Sequence, residues 1–267
     1  MADVPVRGGN LVIQGLVKTY ALPGQLFLAD KKQRRVLDGL SLTISEGETY
    51  GLVGESGSGK TTTGRIIAGL THADEGSVLY GGRDLLTLTK RERRVMAADI
   101  QYIFQDSLAS LEQRMTAGTI LDEVLVIRGV GSRKERLSRV LRILDLVGLR
   151  QECFFARPHE LSGGQRQRLN IARALITEPK VIICDEPVSA LDVSVQAQIL
   201  NLLRDLQGEL GLTLLFISHD LRVVRYMADV IGVIYQGRIV EEAPSERLLA
   251  DPQHSYTKSL LTAIPGI

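Results

Sequence analysis

Cysteine is scarce in this chain: there are two in 267 residues, Cys153 and Cys184, far apart and without metal-ligand spacing. That excludes a disulfide framework and points to a reducing compartment. An excess of either charge is missing too. The 32 basic and 31 acidic residues leave a net charge of +1, so no broad basic surface exists to neutralise phosphates, and nucleic acid is not an expected partner. No apolar run approaches the ~18 residues that span a bilayer. The strongest, VIIC at 181–184 and LTLLFI at 212–217, have the length of buried strands. The opening MADVPVRGGN has no apolar core, so no secretory signal is expected. Internal repeats and low-complexity tracts are absent as well. What the chain does have is apolar substance. Hydrophobic residues make up 44%, enough at this length to bury roughly three quarters of the unfolded surface and to exclude intrinsic disorder.

The patterning alternates strand with helix. Residues 11–20 carry an interrupted strand-like alternation, followed by a loop or loose hairpin with Pro23, Gly24 and a basic run from Lys31 to Arg35. Leu40, Leu42 and Ile44 share one face of a second strand before a turn at Glu46-Gly47. YGLVG at 50–54, GSVLYGG at 76–82, DIQYIFQ at 99–105, VIICD at 181–185 and LTLLFIS at 212–218 read as strands. TTTGRIIAGL at 61–70 and VQAQILNLLRDLQGEL at 195–210 read as helices. From 106 to about 160 the pattern changes, and Leu137, Leu141, Leu144 and Gly148, with Val140 and Val147 beside them, mark a helical insertion. Ser162 can cap a helix that Glu178-Pro179 ends. A hairpin turning at Gln236-Gly237 and two short helices close the chain. Uniformly apolar strands alternating with helices imply an α/β fold with a largely parallel sheet covered on both faces.

Gly54-Glu55-Ser56-Gly57-Ser58-Gly59-Lys60-Thr61 fits G-x-x-x-x-G-K-[ST] after an apolar strand and before a helix, the context that a phosphate-binding loop requires. Its glycines let backbone N–H groups curl around phosphate oxygens. The helix N-terminus at Lys60, Thr61 and Thr62 adds partial positive charge. Lys60 can reach β- and γ-phosphates, and the Thr61 hydroxyl can ligate Mg²⁺. Such a site needs a carboxylate from another strand end, and Asp185 supplies one. Glu186 follows it and can orient or deprotonate an attacking water, although the pair could also simply open a turn before Pro187. Taken alone, the loop leaves kinases and GTPases open.

Leu161-Ser162-Gly163-Gly164-Gln165, between that loop and a strand ending in Asp-Glu, resembles the signature of ATP-binding-cassette ATPases. The likeness runs across nearly the whole chain. Gln105 resembles the family's Q-loop glutamine, Ser189-Ala190-Leu191-Asp192 its D-loop, His219 its switch histidine and Tyr20 the aromatic that stacks on adenine. The resemblance implies ATP and Mg²⁺ as cofactors, with Gln105 reaching the metal or water and His219 the γ-phosphate. It implies that Ser162, Gly163, Gly164, Gln165 and Asp192 face the ATP of a second cassette. From the residues alone, His219 could equally be a helix cap and Tyr20 a packing residue. The segments at 104–116, 158–175, 185–203 and 217–224, and above all the tail DPQHSYTKSLLTAIP at 251–265, resemble the dipeptide/oligopeptide/nickel importer ATPases. Two departures stand out. Residues 112–113 are Glu-Gln where many relatives carry Asn-Pro, and no cysteine cluster follows the tail, so no iron–sulfur centre is expected.

The resemblance implies one ABC ATP-binding domain over 1–267, with a P-loop core, an antiparallel β-subdomain from the N-terminal strands, a helical subdomain over about 107–160 and an importer-type tail over about 245–267. It implies a peripheral subunit on the cytoplasmic face of the cell membrane, working with a second ATPase subunit, two permeases and, indirectly, an extracytoplasmic solute-binding protein. Cargo stays open among peptides, nickel chelates and opines, and an ATPase of a carbon–phosphorus lyase assembly is the alternative.

Overall fold

Apolar alternation at the N-terminus builds a ladder. β1 (Leu11–Ala21) and β2 (Gln33–Ile44) run antiparallel, with Leu11 opposite Ile44, Ile13 opposite Leu42 and Leu16 opposite Leu40. All six of these side chains are buried. The computed structural model describes residues 9–21 and 33–262. They divide into two compact units, one drawn from 1–96 with 213–267 and the other from 97–212. In the first unit the chain continues through β3 (Thr49–Val53), α1 (Lys60–Ile67), β4 (Glu75–Tyr80) and β5 (Arg83–Asp84), then enters α2 (Lys90–Asp99). The second unit holds β6 (Ile100–Ile103), α3 (Ala117–Ile127), α4 (Arg133–Leu146), α5 (Gly163–Leu175), β7 (Val181–Asp185) and α6 (Val193–Leu210), with 3₁₀ turns at Gln151–Phe155 and Pro158–Glu160. The chain returns to the first unit with β8 (Thr213–Ser218), α7 (Leu221–Met227), β9 (Val230–Tyr235), β10 (Arg238–Pro244), α8 (Ser245–Ala250) and α9 (Ser255–Thr262).

Within the first unit, β2-β1-β4-β5 form an antiparallel sheet. A second sheet places β3 between β8 and β9, parallel to both, with β10 antiparallel to β9. Every residue of β3 and β8 is buried, as uniformly apolar parallel strands require. Of the segment read as a loop over 21–35, residues 22–32 lie outside the described part, but Gln33, Arg34 and Arg35 belong to β2. Pairing with Ala21, Tyr20 and Thr19 carries the strand through the charged stretch, because a ladder's backbone bonds form whatever the outward side chains are.

The second unit pairs β6 with β7 in parallel. Its α4 starts on a capping box between Ser132 and Glu135. The buried stripe of α4 is Val140, Ile143 and Leu144, with Val147 after it, whereas Leu137 is 45% exposed. The predicted stripe was therefore displaced around the helix at its N-terminal end. α2 had no counterpart in the sequence reading. Its KRERRVMAAD is too polar to show an apolar period, and it is fixed by the reciprocal hydrogen bonds of Thr89 and Glu92.

Gly51, in the middle of β3, lets α7 approach closely: a Cβ there would lie 2.3 Å from Val224 Cγ1 and 2.8 Å from Ala228 Cβ. Gly51→Ala is expected to cost about 1–3 kcal/mol by overpacking, and so to lower the thermal midpoint by about 2–4 °C per kcal/mol. An unchanged midpoint in a calorimetric scan would show that α7 yields instead.

Candidate functional site

β3 ends at Val53, and residues 54–59 curl into the first turn of α1. The turn needs glycine at position 59. Its φ is 114° and a Cβ would stand 2.6 Å from Leu37 Cδ2 and 3.0 Å from the Val36 carbonyl oxygen. Lys60 follows, only 5% exposed. Its ammonium donates to the carbonyl oxygens of Gly54 at 2.7 Å and Glu55 at 2.8 Å. Glu55, Ser56 and Gly57 are exposed, Thr61 and Thr62 half-buried in the helix start. The hydroxyl of Ser58 is buried with no partner among the described residues. A concave mouth of about 500 Å³ opens over this loop, flanked by Arg34, Arg35 and Tyr235. Arg34 and the helix N-terminus favour an anion there, whereas Arg35 is paired with Asp38 at 2.8 Å and Glu55 lines the same mouth.

Tyr20 and His219 lie in the same unit. Tyr20, 41% exposed, sits opposite Arg34 in the β1–β2 ladder, and the Arg34 guanidinium reaches the Gly57 carbonyl at 3.4 Å. The ladder thus places Tyr20 across from an arginine that reaches the loop, and the Lys18 ammonium lies 5.4 Å from the centre of its ring. His219 is exposed immediately after β8, whose last residue Ser218 pairs with Val53 at the mouth of the loop. Capping of α7 falls to Asp220, which accepts from the Arg222 N–H at 2.9 Å, and the Arg222 guanidinium beside it holds its carboxyl below the usual range.

The second unit gathers the remaining candidates. Asp185 ends β7, buried, and accepts a 2.6 Å hydrogen bond from the Tyr102 hydroxyl on β6. Burial, with the Asp185 charge adding to it, pushes the neighbouring Cys184 thiol up to about 12. Glu186 takes a left-handed φ of 47°, and its carboxylate accepts from the Gln105 amide at 3.1 Å. Gln105 does not end its strand as expected. Pairing stops at Ile103 opposite Cys184, and Gln105 lies two residues beyond. The loop that follows is bolted to α5. Asn170 donates to the Ser107 carbonyl at 3.3 Å and meets the Ser110 hydroxyl at 3.0 Å, and Arg173 donates to the Ser110 carbonyl. Gln113, in the departing Glu-Gln pair, closes the loop with bonds to the Leu108 and Leu111 carbonyls at 2.6 and 2.9 Å.

Ser162 caps α5 in a reciprocal box with Gln165 at 3.3 and 2.9 Å. Gly163 and Gly164 follow, half-buried, and a Cβ on Gly164 would lie 2.6 Å from Val195 of α6. Asp192 stands exposed at the N-cap of α6 and makes no capping bond with its side chain. The Ser189 hydroxyl ties the same loop to the Glu186 carbonyl at 3.1 Å. Tyr102, Asn170 and Arg173 escaped the sequence reading. Tyr102 reads as one more strand apolar, and only the β6–β7 register reveals its partner. Among the described residues, no group of three or more His, Cys, Asp or Glu side chains could hold a metal by themselves.

The chain is similar to known proteins over its whole length. The family model described as ABC transporter matches residues 37–189. A putative peptide import ATP-binding protein of Brucella ovis is 52% identical over 266 residues, covering 100% of this chain and 80% of that one. The oligopeptide transport ATP-binding protein OppF of Bacillus subtilis is 51% identical over 243 residues, covering 90% and 80%. Among solved structures, the ATP-binding cassette MJ0796, dimeric in a post-hydrolysis state with ADP and Pi, superposes with a TM-score of 0.77 at 31% identity, over 88% of this chain and 98% of that one. The chain belongs to the ABC transporter family, as an ATP-hydrolysing cassette.

Proposed function

We propose that this chain powers a peptide importer from the cytoplasmic face of the membrane, with Glu186 as the group that activates water. The contact of Gln105 with Glu186, at a carboxylate held in a left-handed backbone, is the observation that carries the mechanism. Glu186 takes a proton from water as the water oxygen bonds to the γ-phosphorus. The bond from that phosphorus to the β–γ bridging oxygen breaks, and ADP leaves with the electron pair. Lys60 and the amides of the loop offset charge on the β- and γ-phosphates, and His219 holds the γ-phosphate. Thr61, Asp185 and Gln105 offer hard oxygen donors of the kind Mg²⁺ prefers alongside phosphate oxygens. Bound there, Mg²⁺ supplies charge neutralisation. Tyr20 stacks on adenine.

Cassettes of this family work as dimers with membrane permeases. Here Ser162, Gly163, Gly164, Gln165 and Asp192 face the ATP of the partner cassette, itself a second copy or a paralogue. No helix among the described residues is long and apolar enough to cross a membrane. In this proposal two permease subunits provide the path and an extracytoplasmic solute-binding protein selects cargo. The whole of 1–267 acts as one ABC ATP-binding domain, with the tail over about 245–267 as part of it. Within that domain, the helical segment over about 107–160 meets the permease. In support, Phe155 is 76% exposed and Leu108 43% exposed. Phe155 also adjoins Ala156, whose carbonyl accepts the Ala117 N–H at the start of α3. The peptide-import names of relatives matched along the full chain support peptides over nickel or opines and do not favour a carbon–phosphorus lyase assembly.

Lys60→Ala removes charge-assisted bonds worth about 1.5–3 kcal/mol each and is expected to abolish ATP-dependent uptake. Full uptake at matched expression would remove the phosphate-loop assignment. Glu186→Gln is expected to keep nucleotide affinity, to lower turnover by about 10² or more and to accumulate an ATP-bound dimer. Parent-rate hydrolysis by this variant in the assembled complex would dismiss Glu186 as the base. Single cysteines placed between Leu108 and Met115 are expected to crosslink to a membrane subunit, and one near Gly237 is not. The reverse pattern would invert the proposed orientation.

A further inference from the structure

The tail beyond β10 takes no part in the proposed hydrolysis, yet it touches the phosphate loop. Two anchors fix its course. At the first, the Glu241 carboxylate on β10 accepts the backbone N–H groups of Gln253 at 2.7 Å and His254 at 3.0 Å. Burial works against that carboxylate's charge, and the hydrogen bonds it accepts, that of the Gln253 amide foremost, nevertheless hold it below the usual range. At the second, the Tyr256 ring of α9 lies on Tyr235, with centroids 4.2 Å apart and planes at 34°. The Tyr256 hydroxyl accepts the backbone N–H of Glu55 at 3.0 Å. The carbonyl of the same Glu55 accepts the Lys60 ammonium at 2.8 Å. One residue of the loop is therefore gripped from both sides, by the tail at its N–H and by the lysine at its carbonyl.

We propose that Tyr256 is a positioning residue for nucleotide binding: through the Glu55 backbone it holds the phosphate loop, and with it Lys60, in the shape that receives the phosphates. A glycine-rich loop is conformationally free, and ordering it on binding would subtract from affinity. A tail that orders the loop beforehand removes that cost. Tyr256 acts on the resting shape of the loop, so its contribution is equal in the ground and transition states. It therefore belongs in KM and not in kcat.

The proposal rests on the phosphate-loop reading, and the test separates the two. Tyr256→Phe keeps the ring on Tyr235 and removes only the acceptor. In the full chain, the Kd for ADP and the KM for ATP are expected to rise about three- to tenfold, the size of one ordinary hydrogen bond, with kcat and thermal midpoint unchanged. Tyr256→Ala, which also loses the ring, is expected to raise KM further. A parent-like KM for Tyr256→Phe, while Lys60→Ala abolishes nucleotide binding in the same assay, would overturn the proposal and leave the loop reading intact. So would a fall in kcat and thermal midpoint together, the mark of a merely structural contact. Undiminished ADP binding by Lys60→Ala would instead strike the loop reading itself.

Discussion

A lysine ammonium taken almost entirely out of water is the constraint around which the first unit is arranged. Burying an ionised amine is costly unless other dipoles replace its hydration. For Lys60 the carbonyls of Gly54 and Glu55 do so. Those carbonyls can serve only if the loop leaves a strand that does not move, and β3 is paired on both edges and buried along its length. They also require α1 to begin one residue after a backbone bend that admits no side chain, which is Gly59. The apolar run, the glycines and the helix start are consequences of housing one charge.

That logic explains what was legible in the sequence. Gly54 to Thr61 could be read because the loop's chemistry is local: strand, glycines, lysine and helix follow one another without a break. Ser162 and Gln165 could be read for the same reason, since a serine three residues before a glutamine spells a helix cap. The largely apolar strands β3, β7 and β8 announced burial on both faces. Contacts set by register could not be read. Tyr102 meets Asp185 across 83 residues, and Arg34 and Arg35 join a strand because of what lies opposite them. α2 stayed hidden because its polar composition has no period to reveal it.

In the second unit, backbone strain and tethering sit next to each other. A non-glycine residue in the left-handed region costs on the order of 1–3 kcal/mol and persists only where its surroundings hold it. Glu186 is held by Ser189, which bonds the Glu186 carbonyl through both its N–H and its hydroxyl. Its partner Gln105 opens the loop that Asn170 and Arg173 bind to α5. The helix capped by Ser162 and the loop carrying Gln105 are thus mechanically one piece, and displacement of either would be felt at Glu186.

The two cysteines have a practical consequence. Both are buried, and Cys184, with its thiol pushed up to about 12, lies inside β7. Because the thiolate is the reactive form, burial and that upward push both guard Cys184 against modification. Cys184 is therefore a poor target for maleimides and spin labels, and Cys153 is the native thiol to replace before an introduced surface cysteine is labelled. Distances between labelled sites can then be followed through the ATP cycle after the replacement of one native thiol.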